Sequence, residues 1–336
     1  MAITDHGVMF GIKEFADYCA GVNKKRKADG LEPFKPILGC EMYVARHRLQ
    51  DKVKEHGDNS GYHLIVLAKN YNGYKNLIKL VSKSWMEGYY YRPRTDRVEL
   101  EKYHEDLIVC SACIAGEVPS KIIKDDLEGA REACEWYHRV FGDDYYLELQ
   151  RHEVKDPTIL ANREAFPLQQ KANKVLLEFA KEYGIKVICT NDVHFEDKET
   201  AEAHDHLLCL STGKDLDDPS RMRYSKQEWF KTREEMNDIF SDVPEALSNT
   251  LEIFDKVELY SIEHGPIMPF FPIPESFGTE EGWRKKFTEA DLYREFTSDE
   301  NGENPLSQEE GRKSSSVLVD MIRFIASSLR PTTLQN

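Results

Sequence analysis

The hydrophobic positions of this chain fall into short runs separated by helix-length amphipathic segments. Residues 1–4, Met-Ala-Ile-Thr, read as the end of a buried strand, and an Asp-His pair and a glycine follow at once. From Gly11 to about Gly30, Ile12, Phe15, Ala16, Cys19 and Val22 recur at helical spacing before the basic turn NKKRKADG. KPILGCEMYVA from Lys35 and HLIVLAKN from His63 predict two strands, joined as a long hairpin by the polar stretch from Arg46 to Gly61. NGYKNLIKLVSKSW predicts an amphipathic helix with Tyr74, Leu77, Ile78, Val81 and Trp85 on its apolar side. A rhythm then sets in: strand DLIVCSA at 106, a helix from about 126, strand DYYLELQ at 144, a helix from Leu168 to Gly184, and strand IKVICTND at 185. Such alternation predicts an α/β fold of mostly parallel units in a barrel-like arrangement, with working residues at the C-terminal ends of the strands. Beyond about Lys256 the pattern breaks. HGPIMPFFPIPESFG holds four prolines and predicts an extended linker, EEGWRKKFTEADLYREF predicts the start of a new helix, and the Ser-rich, basic final stretch fits no element.

Composition narrows the function classes. A length of 336 residues suits one large domain or two of medium size. Lys and Arg number 45 against 60 Asp and Glu, a net charge of −15, so the long-range field repels nucleic acid. Any nucleic-acid role is then local, metal-assisted or carried by a part outside this sequence. Seven widely spaced cysteines do not form a disulfide framework and read as reduced thiols. No run approaches the roughly 18 apolar residues of a membrane span, and the start lacks a signal-peptide pattern, so no membrane partner and a cytoplasmic location are expected.

The chemistry-bearing residues sit at strand ends. Asp5 and His6 follow the first strand, Glu41 lies late in the second, His63 begins its hairpin partner, Cys113 ends the fourth, and TNDVHF closes the sixth with Asp192 and His194. In extended backbone the last two project to the same side. Imidazoles, carboxylates and a thiolate are the ligands of zinc, manganese or iron. Taken singly, a His or Asp at a strand end is more often a hydrogen-bonded turn residue, and Asp5 is expected to cap the turn or orient His6. CSAC, Cys110 to Cys113, has no second pair to make a zinc knuckle, and Cys110 is expected to pack in its strand. His152 is balanced between a pocket contact and a surface turn, and His204 and His206 read as structural. GYYYRPR at 88–94 could stack on a nucleic-acid base, but a loop packed onto the domain is the commoner outcome for such a run.

TDHG, GCEMYV, HLIVLAKNYNGYKNL, CSACIAGEVP, YYLELQRH and TNDVHF, in this order and at these intervals, resemble the polymerase-and-histidinol-phosphatase (PHP) domain at the N-terminus of bacterial replicative DNA polymerase III alpha subunits. DDPSRMRYSKQEWFKTREEMNDIF and PEALSNTLEI extend the resemblance to about residue 310, and NGYKNL and EALSNT favour this branch over histidinol phosphatases. The resemblance implies a distorted (β/α)7 barrel holding up to three divalent metals, Zn or Mn, with His6, Glu41, His63, Cys113, Asp192 and His194 on the family's ligand positions and Asp5, Asn191 and His152 behind or beside them. It implies a PHP domain over 1–260, a Pro-rich linker over 261–280, the start of the polymerase palm region over 281–313 and an aberrant tail over 314–336.

The family has an earlier strand with a His-x-His pair and a later Asp, which implies an internal methionine start, a barrel lacking its first strand and helix, and an incomplete metal site. A frameshift near Arg312 or Lys313 would produce the tail. The expected function is that of part of a DNA-directed DNA polymerase of chromosome replication. Its PHP domain would carry 3′–5′ exonuclease or phosphoesterase activity or dock the proofreading exonuclease subunit and other replicase subunits, DNA being reached through the parent polymerase. This stretch alone, lacking the polymerase active site, is expected to bind metal weakly, to show little exonuclease activity and to be poorly soluble. The competing readings are a stand-alone PHP-family phosphoesterase and a metal-independent interaction module.

Overall fold

A computed structural model describes residues 1–53, 60–154, 156, 158, 160–266, 281, 282 and 285, with residues 160–164 described by backbone alone. The chain divides into two compact units, Met1–Ile262 and Glu263–Asn336. The second unit lies almost wholly outside the described residues, as do the palm start and the tail expected from sequence and all of the expected linker beyond residue 266.

The first unit is built on one seven-stranded sheet: β1 (Ala2–His6), β2 (Ile37–Val44), β3 (Tyr62–Ala68), β4 (Arg94–Thr95), β5 (Leu107–Cys110), β6 (Tyr145–Leu149) and β7 (Lys186–Cys189). The path runs β1-β2-β3-β5-β6-β7, with β4 also on β2. Pairing is parallel except at β3, which lies antiparallel between β2 and β5. Among the described residues no ladder joins β1 to β7, so the sheet is open there by hydrogen bonding. Its two ends nevertheless meet, because Nε2 of His6, the last residue of β1, stands 3.3 Å from His194 Nε2 beyond β7. The sheet is therefore strongly curled.

Side chains alternate across a strand, and both faces are buried. Met42, Leu64, Val109, Leu147 and Val187 pack outward against Leu77 and Leu80 of α2 (Tyr71–Met86), Val118 and Ile122 of α4 (Glu117–Ile123), Tyr137 of α5 (Leu127–Phe141), and Leu176 and Phe179 of α6 (Leu160–Tyr183). Ile37, Leu67, Ile108, Tyr146 and Ile188 pack inward with Ile253 and Val257 of α9 (Pro244–Lys256) and the residue after it. Nearer the other end of the strands the inward positions turn polar, with Glu41, His63 and Glu148. One face thus carries an apolar floor and a polar mouth.

α9 seals the floor. Lys186 pairs with Glu252, Tyr146 donates its hydroxyl to Glu252 (2.7 Å), Lys256 reaches Glu252 (3.1 Å), Asn249 donates to the Val187 carbonyl (2.8 Å), and the Glu258 N–H donates to the Lys69 carbonyl (2.7 Å).

α2 differs from its sequence expectation. Its buried positions are Gly73, Asn76, Leu77, Leu80, Val81 and Ser84, while Ile78 and Trp85 are exposed. The turn around Glu105 and Asp106 rotates the helix. Asn70 caps it by accepting from the Asn72 and Gly73 N–H groups, Asn72 Nδ2 donates to the Asp106 carboxylate (2.8 Å), Asn76 Nδ2 donates to the Glu105 carbonyl (3.1 Å), and the Lys69 N–H donates to the Asp106 carbonyl (2.9 Å). α6 begins at Leu160, before the start expected at Leu168, and carries Pro167 inside it. β4, two residues long, α1 (Phe10–Ala28), α3 (Arg97–Lys102), α7 (Ala201–Thr212) and α8 (Arg233–Ile239) complete the unit. Among the described residues no helix is long and apolar enough to cross a membrane.

Two outcomes follow. A Cβ on Gly73 would stand 2.1 Å from the Asp106 carbonyl oxygen, a backbone atom that cannot swing aside. Gly73→Ala is therefore expected to destabilise the fold by about 2 kcal/mol even after the roughly 1 kcal/mol that Ala gains over Gly in a helix, read as a lower urea midpoint. Burial works against ionising Glu252, but Lys186, Tyr146 and Lys256 outweigh it and bring the carboxyl down to about 2 from 4.5. A depressed carboxyl contributes stability that is complete above its unfolded value and is lost as pH falls through its folded one. Glu252→Gln should lower the urea midpoint at pH 7, and the difference from the parent chain should close as pH falls from about 4.5 towards 2.

Candidate metal centre

Register assembles the site. In the β1–β2 ladder His6 is directly opposite Glu41, and in the β2–β3 ladder Glu41 is opposite Ile65 and Tyr43 opposite His63, which sets His63 diagonally across from Glu41. The Glu41 carboxylate is 5% exposed. Its Oε1 lies against the His63 imidazole and 3.5 Å from His6 Nδ1. Burial opposes its ionisation, and the two imidazoles outweigh burial and hold the carboxyl at about 2. The same contact raises His6 above its ordinary 6.5.

Cys113 enters from beyond β5. The strand ends at Cys110, three residues earlier than the sequence suggests, because Ala112 takes a left-handed turn (φ 63°). The His63 N–H donates to the Ala115 carbonyl (3.1 Å) and the Gly116 N–H to the Cys113 carbonyl (2.8 Å), which folds this turn onto β3 and sets Cys113 Sγ 3.7 Å from His63 Nδ1. Cys110 packs among the apolar residues of the floor, while Cys113 stands at the mouth. Donor atoms of Glu41, His63 and Cys113 all lie within 4.8 Å of one another. Burial, helped by the Asp192 and Glu41 carboxylates, pushes the Cys113 thiol well above its usual value.

Asp192 and His194 reach the mouth by a different route from the one expected. β7 stops at Cys189, and Asp192 is left-handed (φ 47°) instead of extended, so the Asp192 carbonyl turns back to His194 Nδ1 (2.6 Å). Nδ1 therefore donates, and Nε2 is the nitrogen facing His6. Burial raises Asp192, with Glu41 adding to the effect and His194 opposing it. Asp5 is turned away from the cluster, its Oδ2 accepting the Gly11 N–H (2.9 Å) in the first turn of α1.

Behind the mouth lies a buried polar scaffold. His152, 4% exposed, is no surface turn: Nε2 donates to the Asn191 carbonyl (3.2 Å), Nδ1 is met by the Gln169 amide (3.0 Å), and burial keeps the ring below its ordinary value. The Asn191 amide donates to the Gln227 and Trp229 carbonyls (2.9 and 2.7 Å). Glu228, 2% exposed, accepts from the Ser225 N–H (3.0 Å) and hydroxyl and the Gln227 N–H (2.9 Å), and lies 3.3 Å from His152 Nδ1. The Glu228 carbonyl in turn accepts the His194 N–H (2.8 Å).

Three further residues stand beside the cluster: Tyr224 and Glu148, which the sequence reading does not name, and His204, which it reads as structural. Tyr224 places its hydroxyl 3.0 Å from His194 Nε2. His204 of α7 stands against His194 and Tyr224, with ring centroids 5.9 and 5.1 Å away. Glu148, fully buried below the mouth, accepts from the Ala112 N–H (3.0 Å) and Thr190 hydroxyl (2.6 Å), and burial brings its carboxyl up to about 7. Only Glu148 left a signal in the sequence, as an acid inside the apolar run YYLEL.

The donor set suits a divalent cation. Glu41, Asp192, Glu148 and Cys113 crowd acidic groups around two or three imidazoles, and Glu41, His63 and Cys113 bring three ligand-type atoms together.

Residues 1–152 match the family model for the PHP domain. The DNA polymerase III subunit alpha of Borreliella burgdorferi is 41% identical over 281 residues, covering 83% of this chain and 23% of that protein. The corresponding subunit of Treponema pallidum is 35% identical over 298 residues (88% and 24%), and that of Thermus aquaticus 36% over 305 (88% and 23%). The chain spans about a quarter of the length of these curated relatives.

The scaffold can be tested without metal. Glu228→Ala leaves two buried donors, the Ser225 N–H and hydroxyl, without their acceptor beside His152 and is expected to cost about 3 kcal/mol in urea unfolding, with Glu228→Gln costing less because its amide oxygen still accepts.

Proposed function

We propose, for a chain whose residues 1–152 belong to the PHP domain family and whose relatives are DNA polymerase III alpha subunits, that it is the PHP-bearing part of a bacterial replicative polymerase and that its cluster is a divalent-metal centre acting on phosphodiesters. The curled sheet is read as the family's (β/α)7 barrel. Template-directed DNA synthesis belongs in this reading to the whole protein, as do DNA, the proofreading exonuclease and the other replicase subunits as partners.

The observation that carries the metal reading is the grouping itself: a buried Glu41 carboxylate faced by two imidazoles, with donor atoms of Glu41, His63 and Cys113 all within 4.8 Å of one another. Glu41, His63 and Cys113 would hold one ion, with His6, Asp192 and His194 extending the site across the gap between β1 and β7. Zinc or manganese bound there supplies a Lewis acid for a phosphoryl oxygen and makes a bound water more acidic. The chain's own residues set the rest. The Asp192 carbonyl fixes the ring of His194, the Tyr224 hydroxyl stands where a substrate oxygen at His194 Nε2 would meet it, and Glu148 holds the Cys113 turn by its backbone. The partly exposed His6 leaves the mouth open to an incoming strand end.

The test is metal content after equilibration with zinc or manganese and gel filtration, followed by hydrolysis of a 3′-labelled oligonucleotide. The parent chain is expected to retain metal, and Glu41→Ala or His63→Ala to weaken its affinity by at least about 100-fold, more than loss of an outer-shell partner costs. Equal retention by both variants overturns the metal centre. Retained metal without hydrolysis overturns the phosphodiesterase part alone.

A further inference from the structure

Beside the cluster stands a group of aromatic residues that takes no part in it. α2 ends at Met86, and the chain turns tightly at Gly88, where a Cβ would fall 1.9 Å from the Arg94 carbonyl oxygen, before Tyr89 to Arg92 lead into β4. The rings of Trp85 and Tyr89 lie face to face, with centroids 5.3 Å apart and planes at 20°. They are 45% and 47% exposed, and Tyr91 is 60% exposed. Loop packing accounts for Pro93 and Arg94, which are buried, and for the half-buried Tyr90, but not for these three rings. Tyr91 is also held left-handed (φ 59°), a conformation costly for a bulky side chain, with its ring edge-on to Tyr90 at 4.8 Å.

Arg92 completes the group. It is exposed, its guanidinium lies 5.8 Å from the Tyr43 ring centroid, and among the described residues it has no carboxylate partner. In a chain carrying −15, an unpaired cation beside exposed aromatic faces is a specific feature. The group is tied to the loop of His6: the Trp85 indole donates to the Gly7 carbonyl (2.8 Å), and Gly7 (φ 65°) lets Pro93 come within 2.7 Å of where a Cβ would stand.

Exposed aromatic faces with an adjacent guanidinium match an unpaired nucleobase and its phosphate, the base stacking and the arginine pairing with the anion. A duplex end presents neither face freely. We propose that Trp85, Tyr89, Tyr91 and Arg92 form a subsite for the unpaired end of a DNA strand, which places its terminal phosphodiester at the mouth holding His6 and Glu41. What happens to that phosphodiester rests on the metal-centre reading; binding of the strand does not.

The experiment uses the full chain in excess chelator at low salt, with fluorescence anisotropy of a labelled single-stranded oligodeoxynucleotide about 12 nucleotides long. Tyr91→Ala and Arg92→Gln are each expected to weaken binding by about tenfold, while Tyr18→Ala, an exposed tyrosine on α1, leaves it unchanged. A blunt duplex of the same sequence should bind more weakly than the single strand. The subsite is overturned if the parent chain does not bind the strand, if both subsite variants bind it as well as the parent, or if the duplex binds equally. Because metal is absent throughout, loss of binding in the variants supports the subsite even where the metal centre fails, and unchanged binding removes it even where metal is retained.

Discussion

The position of one buried carboxylate organises this fold. Glu41 can face both His6 and His63 only while β2 keeps its register with β1 on one side and β3 on the other. A slip of one residue would turn every side chain of β2 to the opposite face, putting Cys40 and Met42 where Glu41 now stands and a charge into the helix-covered core. The apolar half of the same face guards against that slip. Ile37, Leu67, Ile108, Tyr146 and Ile188 bury together beneath the mouth, so each strand is held in register by hydrophobic contact a few residues from where it presents a ligand-type group. Desolvating the acids at the mouth is unfavourable, and the floor is what offsets it.

The gap between β1 and β7 poses the complementary problem, since His6 and His194 must meet with no ladder between their strands. α9 ties the lower end by reaching from β7 to the chain beyond β3. At the upper end the work falls to polar groups. His152, Asn191 and Glu228 connect β6, the turn after β7 and residues 225–229 through buried hydrogen bonds, and the last of these reaches the backbone of His194. A buried polar network is directional where apolar packing is not, which suits a ligand whose ring must be aimed. His194 is thus aimed from both sides, by the Asp192 carbonyl through its ring and by Glu228 through its main chain.

Much of this is visible in the sequence because strands buried on both faces announce themselves as apolar runs, and a charged residue at the end of such a run has few places to go. That logic places His6, Glu41 and His63 at one end of the sheet, where the structure has them together. It named Asp192 and His194 for a reason that does not hold, since they converge through a left-handed turn and not by strand alternation. Cys113 is likewise delivered by a turn folded onto β3, and α2 is rotated by polar contacts with Glu105 and Asp106 that no hydrophobic pattern encodes. Tyr224 and Glu228 lie in a segment without regular structure, where no periodicity exists to read. The groups that support such a cluster are harder to see than the cluster itself because tertiary hydrogen bonds, not local spacing, define them.

The charge balance, which at first argues against nucleic-acid chemistry, becomes consistent with it once distances are considered. At physiological ionic strength exposed charges more than about 8 Å apart are largely screened, so most of the −15 is not felt at the mouth. What a phosphodiester would meet there is local: Glu41, Asp192 and the Cys113 thiol close together, with the His6 and His63 imidazoles and Arg92 against them. Left to itself the Glu41 carboxylate opposes an anion brought close to it, and burial strengthens that repulsion because screening is weakest there, so without metal a strand would be held by its bases and Arg92 and not by the mouth. In the proposed reading a divalent cation among the same donors would reverse the sign of the field at the point where the strand arrives. In the proposed reading, the acidity that opposes a phosphodiester is the means by which the chain would gather the positive charge that chemistry needs.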